Sequence, residues 1–132
     1  EIRLSLVGSE MCIRDRYAGG IGTHYQFNEK QLAMAEEKIK KLQILAKGLA
    51  AADMHELMFI YELKERLTVC LTVIAHLRAR KETRWHSFAE NLDYPEKSDA
   101  WLCYVNSKKN GDQITMIRRD LVKGGETYEH RD

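Results

Sequence analysis

The residue types best suited to chemistry lie together in one charged and aromatic segment that contains Arg80, Arg84, Trp85 and His86. A guanidinium group binds carboxylates and phosphates through its planar fork, so Arg84 has the chemistry to hold an anionic substrate. The segment offers no nucleophile–base pair and no grouped metal ligands, whereas arginine and tryptophan are enriched at binding hot spots. We therefore expect these four residues to form an inter-domain or inter-subunit surface, with no catalytic, cofactor-binding or metal-binding residue among them.

Two aromatic residues further along the chain, Tyr94 and Trp101, extend this candidate interface. Tyr94 stands directly before Pro95, and a residue in that position is pushed out of the helical region. The arginines upstream suit the last turn of a helix, where cations complement the negative end of the macrodipole. The pattern predicts a buried helix that ends in a corner, which is either a structural turn or a loop that faces a substrate.

Three other patterns fall short of known kinds of site. The glycine cluster within residues 17–27 lacks the Gly-x-Gly-x-x-Gly spacing of a dinucleotide site, and we interpret these residues as a connector. A zinc-protease box is incomplete after His55, since Phe59 stands where the second histidine is needed. Cys70 lies among leucines and valines, where a thiol is usually an inert hydrophobic group.

Hydrophobic periodicity predicts two helices that position the corner. The first covers about residues 28–47, with Asn28 as its N-cap. The second covers about residues 53–79, and Asp53 opens it with a capping-box-like start. Its apolar residues are Leu57, Ile60, Tyr61, Leu67, Leu71, Ile74 and Leu77, widened by Met58, Leu63 and Cys70. So broad a face indicates burial on more than one side, and the short connection predicts an antiparallel pair.

A β-hairpin is predicted after the helices. Trp101 to Val105 alternates like a strand, Asn110-Gly111 is a strong hairpin-turn signal, and Gln113 to Arg119 returns as the second strand. The expected fold class is mainly α: an antiparallel helix pair or small helical bundle with a C-terminal β-hairpin. Residues 123–132 are polar and charged, and we expect a flexible tail there.

Composition excludes several function classes. The formal net charge is +1, which is too small for a nucleic-acid-binding surface of the usual kind. The longest uncharged run, Leu67 to Leu77, is too short to span a bilayer. Cys70 and Cys103 lie in unrelated contexts, and unpaired cysteines favour a reducing cytoplasm.

The first sixteen residues have a different character from the rest. The segment from Leu6 to Arg16 matches, at the level of codons, a translated transposon-based sequencing adapter. We therefore interpret residues 1–16 as adapter-derived, with the native sequence beginning near Tyr17 inside a longer gene, and we expect them to make no stable contact with the rest. The alternative is a short natural strand and turn that opens a domain.

Several motifs of the native part, taken together and in this order, resemble a known family. They are Asn28-Glu29-Lys30, Asp53-Met54-His55-Glu56-Leu57-Met58, Tyr61-Glu62-Leu63, Glu82-Thr83-Arg84-Trp85, Asp93-Tyr94-Pro95, Trp101 and Val105-Asn106-Ser107-Lys108. They are similar to the C-terminal region of the fumarate reductase/succinate dehydrogenase flavoprotein superfamily, and most of all to its adenylylsulfate reductase alpha-subunit branch. The chain departs from that branch at His86, where a proline is expected.

The resemblance implies a specific role. Residues 28–122 would be the C-terminal helical domain of an FAD-dependent oxidoreductase subunit, packed against an N-terminal FAD domain that the chain lacks. FAD would belong to the full-length protein and not to this fragment, and an iron–sulfur subunit would be a partner. A fumarate reductase-like enzyme with another substrate is the close variant. The alternative of a different class is a stand-alone helical interaction module without catalytic activity.

Overall fold

Three helices precede a β-hairpin in the computed structural model, which describes residues 2–85 and 88–122. The helices are α1 (Ile2–Tyr17), α2 (Glu29–Lys47) and α3 (Met54–Ala79). The strands are β1 (Gln26–Phe27), β2 (Glu90–Asn91), β3 (Cys103–Asn110) and β4 (Gln113–Asp120), and 3-10 turns lie at Ile21–Thr23 and Asp99–Trp101. The predicted class, mainly α with a C-terminal hairpin, is confirmed. The tail at residues 123–132 lies outside the described residues.

Helix α2 forms as its sequence predicts. The side chain of Asn28 accepts a hydrogen bond from the Gln31 amide at 2.8 Å, which satisfies one of the free donors of the first turn. The buried positions are Leu32, Ala35, Ile39, Leu42 and Ala46, spaced as one face of a helix. The helix ends at Lys47, directly before Gly48.

Helix α3 begins with the predicted cap and packs against α2. The Glu56 amide donates to the Asp53 side chain at 2.8 Å, and the Glu56 side chain accepts from the Ala52 amide at 2.8 Å. Its buried residues are Ile60, Leu63, Leu67, Cys70 and Ile74. Two residues assigned to the apolar face from the sequence, Met58 and Tyr61, are 66% and 59% exposed. The described part of the chain therefore covers only one side of this broad apolar helix in its first half.

Helix α1 packs on α2 and α3, whereas residues 1–16 were expected to make no stable contact with the rest. Leu6 joins the hydrophobic core, and Glu10, which is 5% exposed, accepts from Cys70 Sγ at 2.8 Å and from Arg66 Nη2 at 3.3 Å. The physical reason is that α2 and α3 together present apolar surface beyond their own contact, and covering it is favourable. The adapter origin of this stretch stays a prediction.

Two small sheets complete the fold. Strands β1 and β2 pair in parallel, with Phe27 opposite Asn91, so the predicted connector at residues 17–27 ends in a strand that reaches the corner. Strands β3 and β4 pair antiparallel around Gly111, whose φ of 61° suits glycine. The first hairpin strand starts at Cys103, two residues later than predicted, because Trp101 belongs to a 3-10 turn. No helix among the described residues has the length and apolar character that crossing a bilayer requires.

Candidate functional site

The corner, residues 80–101, begins where α3 ends. The backbone of Arg80 is extended, and its amide still donates to the His76 carbonyl at 3.2 Å. Thr83 is 1% exposed, and its hydroxyl donates to the Tyr94 carbonyl at 2.9 Å and accepts from the Asn91 amide at 2.9 Å. These buried hydrogen bonds join the first part of the corner, at Thr83, to its later part, at Asn91 and Tyr94.

A buried carboxylate organises the corner. The side chain of Glu82 has no exposed surface, and it accepts from Arg80 Nη1 at 2.7 Å, from Arg84 Nε and Nη2 at 2.9 Å each, and from the Ser98 amide at 3.0 Å. Burial raises the pKa of Glu82, but the hydrogen bonds from Arg84, Ser98 and Arg80 outweigh it and lower the pKa to about 2. Glu82 is therefore ionised across the physiological pH range and neutralised by its own neighbours.

Sequence reasoning missed Glu82 as a site residue. The available signal was an acid with arginines two positions before and two positions after it. In an arginine-rich loop such an acid is ordinarily read as one more solvated charge. Its burial depends on Ser98, which the fold brings from sixteen residues away.

The two arginines of the candidate interface point into the protein. Arg80 also donates to the carbonyls of Trp101 and Cys103, at 2.8 and 2.9 Å, and so attaches the start of the hairpin to the end of α3. Arg84 donates to the Ser98 carbonyl at 3.2 Å in addition to Glu82. Because these donors are hydrogen-bonded to Glu82 and to backbone carbonyls, neither guanidinium is arranged to bind an anionic substrate.

Trp101 lies between two cations. The Arg118 guanidinium is 4.3 Å from the ring centroid and the Arg80 guanidinium is 6.0 Å from it. Arg118 also donates to the Ala100 carbonyl. Trp101 is half-buried and has a structural role here, since it fastens β4 to the 3-10 turn that precedes β3.

The outer surface of the corner is aromatic. Trp85 is 69% exposed and Phe88 is 73% exposed, and the amides of Phe88 and Ala89 both donate to the Trp85 carbonyl, at 2.9 and 3.0 Å. Tyr94 is 43% exposed, with the Lys81 ammonium 5.9 Å from its ring. Phe88 was not among the predicted interface residues, although its position three residues after a tryptophan was a usable signal.

The structure thus divides the predicted interface residues into two groups. Arg80, Arg84 and Trp101 meet in the internal network, whereas Trp85 and Tyr94 face outward. His86 lies outside the described residues. The corner is also tied to the start of α2, because the amides of Glu90 and Leu92 donate to β1 or its flank, and the Glu29 amide donates to Asp93 at 2.7 Å.

The described residues contain no group of three His, Cys, Asp or Glu side chains placed to hold a metal ion. A cavity of about 550 Å³ lies between α2, α3 and the hairpin, and three of the charged residues that line it, Glu36, Lys40 and Arg78, are paired with one another. Glu36 is 2.5 Å from both Lys40 and Arg78, and these hydrogen bonds hold the pKa of the Glu36 carboxyl below its ordinary value. The corner is therefore a rigid support, held by internal ion pairs and hydrogen bonds, with aromatic side chains exposed on its outer surface.

Comparisons with known proteins give a consistent result. No family model matches the chain. The alpha subunit of adenylylsulfate reductase from Megalodesulfovibrio gigas is 34% identical over 95 residues, which are 71% of this chain and 14% of that protein.

Two solved structures have the same backbone arrangement. Adenylylsulfate reductase from the hyperthermophile Archaeoglobus fulgidus superimposes with a TM-score of 0.87 and 35% identity, over 96% of this chain and 20% of that one. An adenosine-5-phosphosulfate reductase in complex with sulfite, as a covalent adduct, gives a TM-score of 0.88 and 36% identity over the same shares. The chain spans a fifth or less of the length of these relatives. It is a homologue of part of the adenylylsulfate reductase alpha subunit.

Proposed function

We propose that this chain is a segment of an FAD-dependent oxidoreductase subunit of the adenylylsulfate reductase type, and that it packs against the subunit's FAD domain. The observation that carries the proposal is the joint agreement in sequence and backbone, 35% identity with a TM-score of 0.87 over 96% of the chain. The whole enzyme would reduce adenylylsulfate to sulfite and AMP, with an iron–sulfur subunit as partner. Free Cys70 and Cys103 favour a cytoplasmic location.

The residues of this chain do not fit FAD themselves. A flavin dinucleotide needs a glycine-rich turn that is open to its pyrophosphate. Gly20-Ile21-Gly22 lacks the third glycine of the Gly-x-Gly-x-x-Gly fingerprint, since position 25 is Tyr25, and a three-residue 3-10 turn (Ile21–Thr23) stands where the fingerprint opens a helix. FAD is therefore assigned to the part of the subunit outside this chain, and the chain contributes structure instead of reacting groups.

Within this proposal the corner is an interface with another domain or subunit. Its support is geometric: Trp85 and Phe88 stand exposed on a loop whose base is fixed by the buried Glu82 and Thr83. Fixed aromatic side chains lose little conformational entropy on binding, which suits them as anchors.

A chimera tests the proposed function. Residues 17–122 of this chain replace the matching segment of the Archaeoglobus fulgidus alpha subunit, and the product is purified with its partner. We expect flavin absorbance at full occupancy and AMP release from adenylylsulfate. A chimera that folds and assembles but holds no flavin would contradict the proposal and favour the stand-alone interaction module.

Substitutions in the same chimera test the corner. Trp85→Ala should leave thermal stability unchanged and weaken partner or domain association, while the assembled enzyme keeps most of its turnover, because the side chain is exposed and touches no reacting group. Tyr104→Ala, at an exposed aromatic position on the hairpin, is the matched control. Arg84→Ala should instead lower stability, since Arg84 pairs with Glu82. A collapse of turnover with flavin and assembly intact would place the corner in the active site.

A further inference from the structure

Four exposed apolar residues lie on one side of α3: Met54, Met58 and Tyr61 in its first half, and Val69 just beyond its middle. Their exposed fractions are 72%, 66%, 59% and 61%. At 3.6 residues per turn these four positions fall within about a quarter of the helix circumference, so they share one face, and the exposed Glu65 lies on the same face between Tyr61 and Val69. We call this face the α3 outer stripe.

The rest of α3 is covered by its own domain. The inner face of α3 is buried at Ile60, Leu63 and Leu67, and Leu63 and Leu67 share a core cluster with the buried residues of α2. The second half is also covered from the hairpin side, where Leu71 lines a shared cavity with Ile114 of β4. Among the described elements, nothing covers the outer stripe. A helix that is apolar on two opposite sides is typical of the interior of a larger protein.

The charges around the stripe indicate the kind of surface that covers it. Glu65 lies within the stripe, Glu62 and Lys64 lie at its two edges, and the Lys64 ammonium is 5.8 Å from the Tyr61 ring. Acids interleaved with a single lysine give no basic patch for an anionic membrane or a nucleic acid. The methionines have flexible, polarizable side chains that adapt to an irregular protein surface.

We infer that the α3 outer stripe is a packing surface for the remainder of the same subunit, separate from the corner. This inference rests on the proposed function. The chain covers 20% of the length of its structural relatives, so most of such a subunit lies outside it. The stripe begins at the N-terminal end of α3 and the corner follows its C-terminal end, about 39 Å away along a 26-residue helix. The subunit would therefore hold this domain at two distant places.

Methionine oxidation followed by mass spectrometry tests the inference without relying on activity. The isolated chain and the chimera described above are treated with hydrogen peroxide, and sulfoxide formation at Met54 and Met58 is followed in time. We expect both residues to react about tenfold more slowly in the chimera, because the exposed sulfurs become buried. Met34 on α2, outside the stripe and 38% exposed, is the internal control and should change less.

The outcomes separate the two proposals. Flavin retained with Met54 and Met58 reacting as fast as in the isolated chain would overturn this inference alone. Protected methionines without flavin would support it while contradicting the proposed function. Protection already present in the isolated chain, together with a dimeric mass in light scattering, would make a second copy the occupant and overturn the inference.

A second measurement covers a chimera that does not accumulate. The chain and the remainder of the relative are then co-expressed as two polypeptides, and capture of the remainder on the tagged chain is compared for wild type and Met58→Lys. We expect a severalfold loss of capture with Met58→Lys while the thermal midpoint of the isolated chain is unchanged, since Met58 is exposed there. Equal capture by the two chains would overturn the inference.

Discussion

Replacement of Glu82 by glutamine is the sharpest test of how the corner is held. The substitution keeps the size and shape of the side chain and removes its charge, so Arg80 and Arg84 lose the carboxylate that pairs with both. Removing one partner of a buried ion pair costs about 3–5 kcal/mol. The arginine side chains are 31% and 19% exposed and keep backbone acceptors, which places the cost of Glu82→Gln below that range, at about 2–3 kcal/mol.

The assay is urea unfolding of the chain at neutral pH. With a dependence of about 1.5 kcal/mol per molar urea, the expected loss moves the unfolding midpoint down by about 1.3–2 M. Glu62→Gln is the matched control, since Glu62 is 59% exposed and lies 3.7 Å from Arg66 across one helical turn. Such an exposed pair contributes about 0.3–0.5 kcal/mol, so the control midpoint should hardly change.

The pH dependence gives an independent check of the same network. The folded state lowers the pKa of Glu82 from its ordinary value of 4.5 to about 2. Between these two values the unfolded chain binds more protons than the folded chain, so the stabilisation is complete above about pH 4.5 and is lost as the pH falls toward 2. The difference between wild type and Glu82→Gln should therefore shrink over this interval. Equal midpoints for wild type, Glu82→Gln and Glu62→Gln at neutral pH would refute the reasoning.

Three other perturbations test the core, a buried thiol and the docking of α1. Leu67→Ala, at a fully buried position, should lower the free energy of unfolding by about 2–5 kcal/mol in urea titration; a loss below about 1 kcal/mol would contradict the packing of α3. Burial, and then the hydrogen bond to Glu10, raise the pKa of the Cys70 thiol to about 12, so iodoacetamide at about pH 8 should modify Cys103 well before Cys70 in the native chain. Equal rates by mass spectrometry would show that α1 does not cover Cys70. Glu10→Leu should raise the free energy of unfolding by about 1 kcal/mol, and a loss of that size would show that the buried carboxylate suits its site.

The parts of the fold that follow from neighbouring residues could be predicted from the sequence. Both the cap of α2 at Asn28 and its buried face were predicted, because each depends on residues within a few positions of one another. The hairpin likewise follows from Asn110-Gly111 between two alternating segments. Local signals of this kind determine where elements begin, end and turn.

What depended on distant residues was missed. The parallel pairing of β1 with β2 joins residues 64 positions apart, and two-residue strands have too little periodicity to be detected. The role of Glu82 was missed for the same reason, since its carboxylate accepts from the Ser98 amide, sixteen positions further along the chain. Periodicity found the apolar faces of α3, but it could not tell which of them the described domain covers and which it leaves exposed.

Helix α1 and the surface of α2 and α3 on which it packs differ in chemical character. The surface belongs to α2 and α3, where Leu67 is fully buried and Cys70 is 5% exposed, and an apolar partner suits it best. Helix α1 places the carboxylate of Glu10 there, against the Cys70 thiol, whose pKa is raised by burial and then by this hydrogen bond, with Arg66 3.3 Å away and 39% exposed. A buried carboxylate with one half-exposed cation is a poor match, because desolvation costs more than such a pair returns. Such a mismatch is expected of a stretch translated from a sequencing adapter, because its sequence was not selected to pack on this surface. A gain in stability with Glu10→Leu would mean that the surface favours an apolar helix of another sequence.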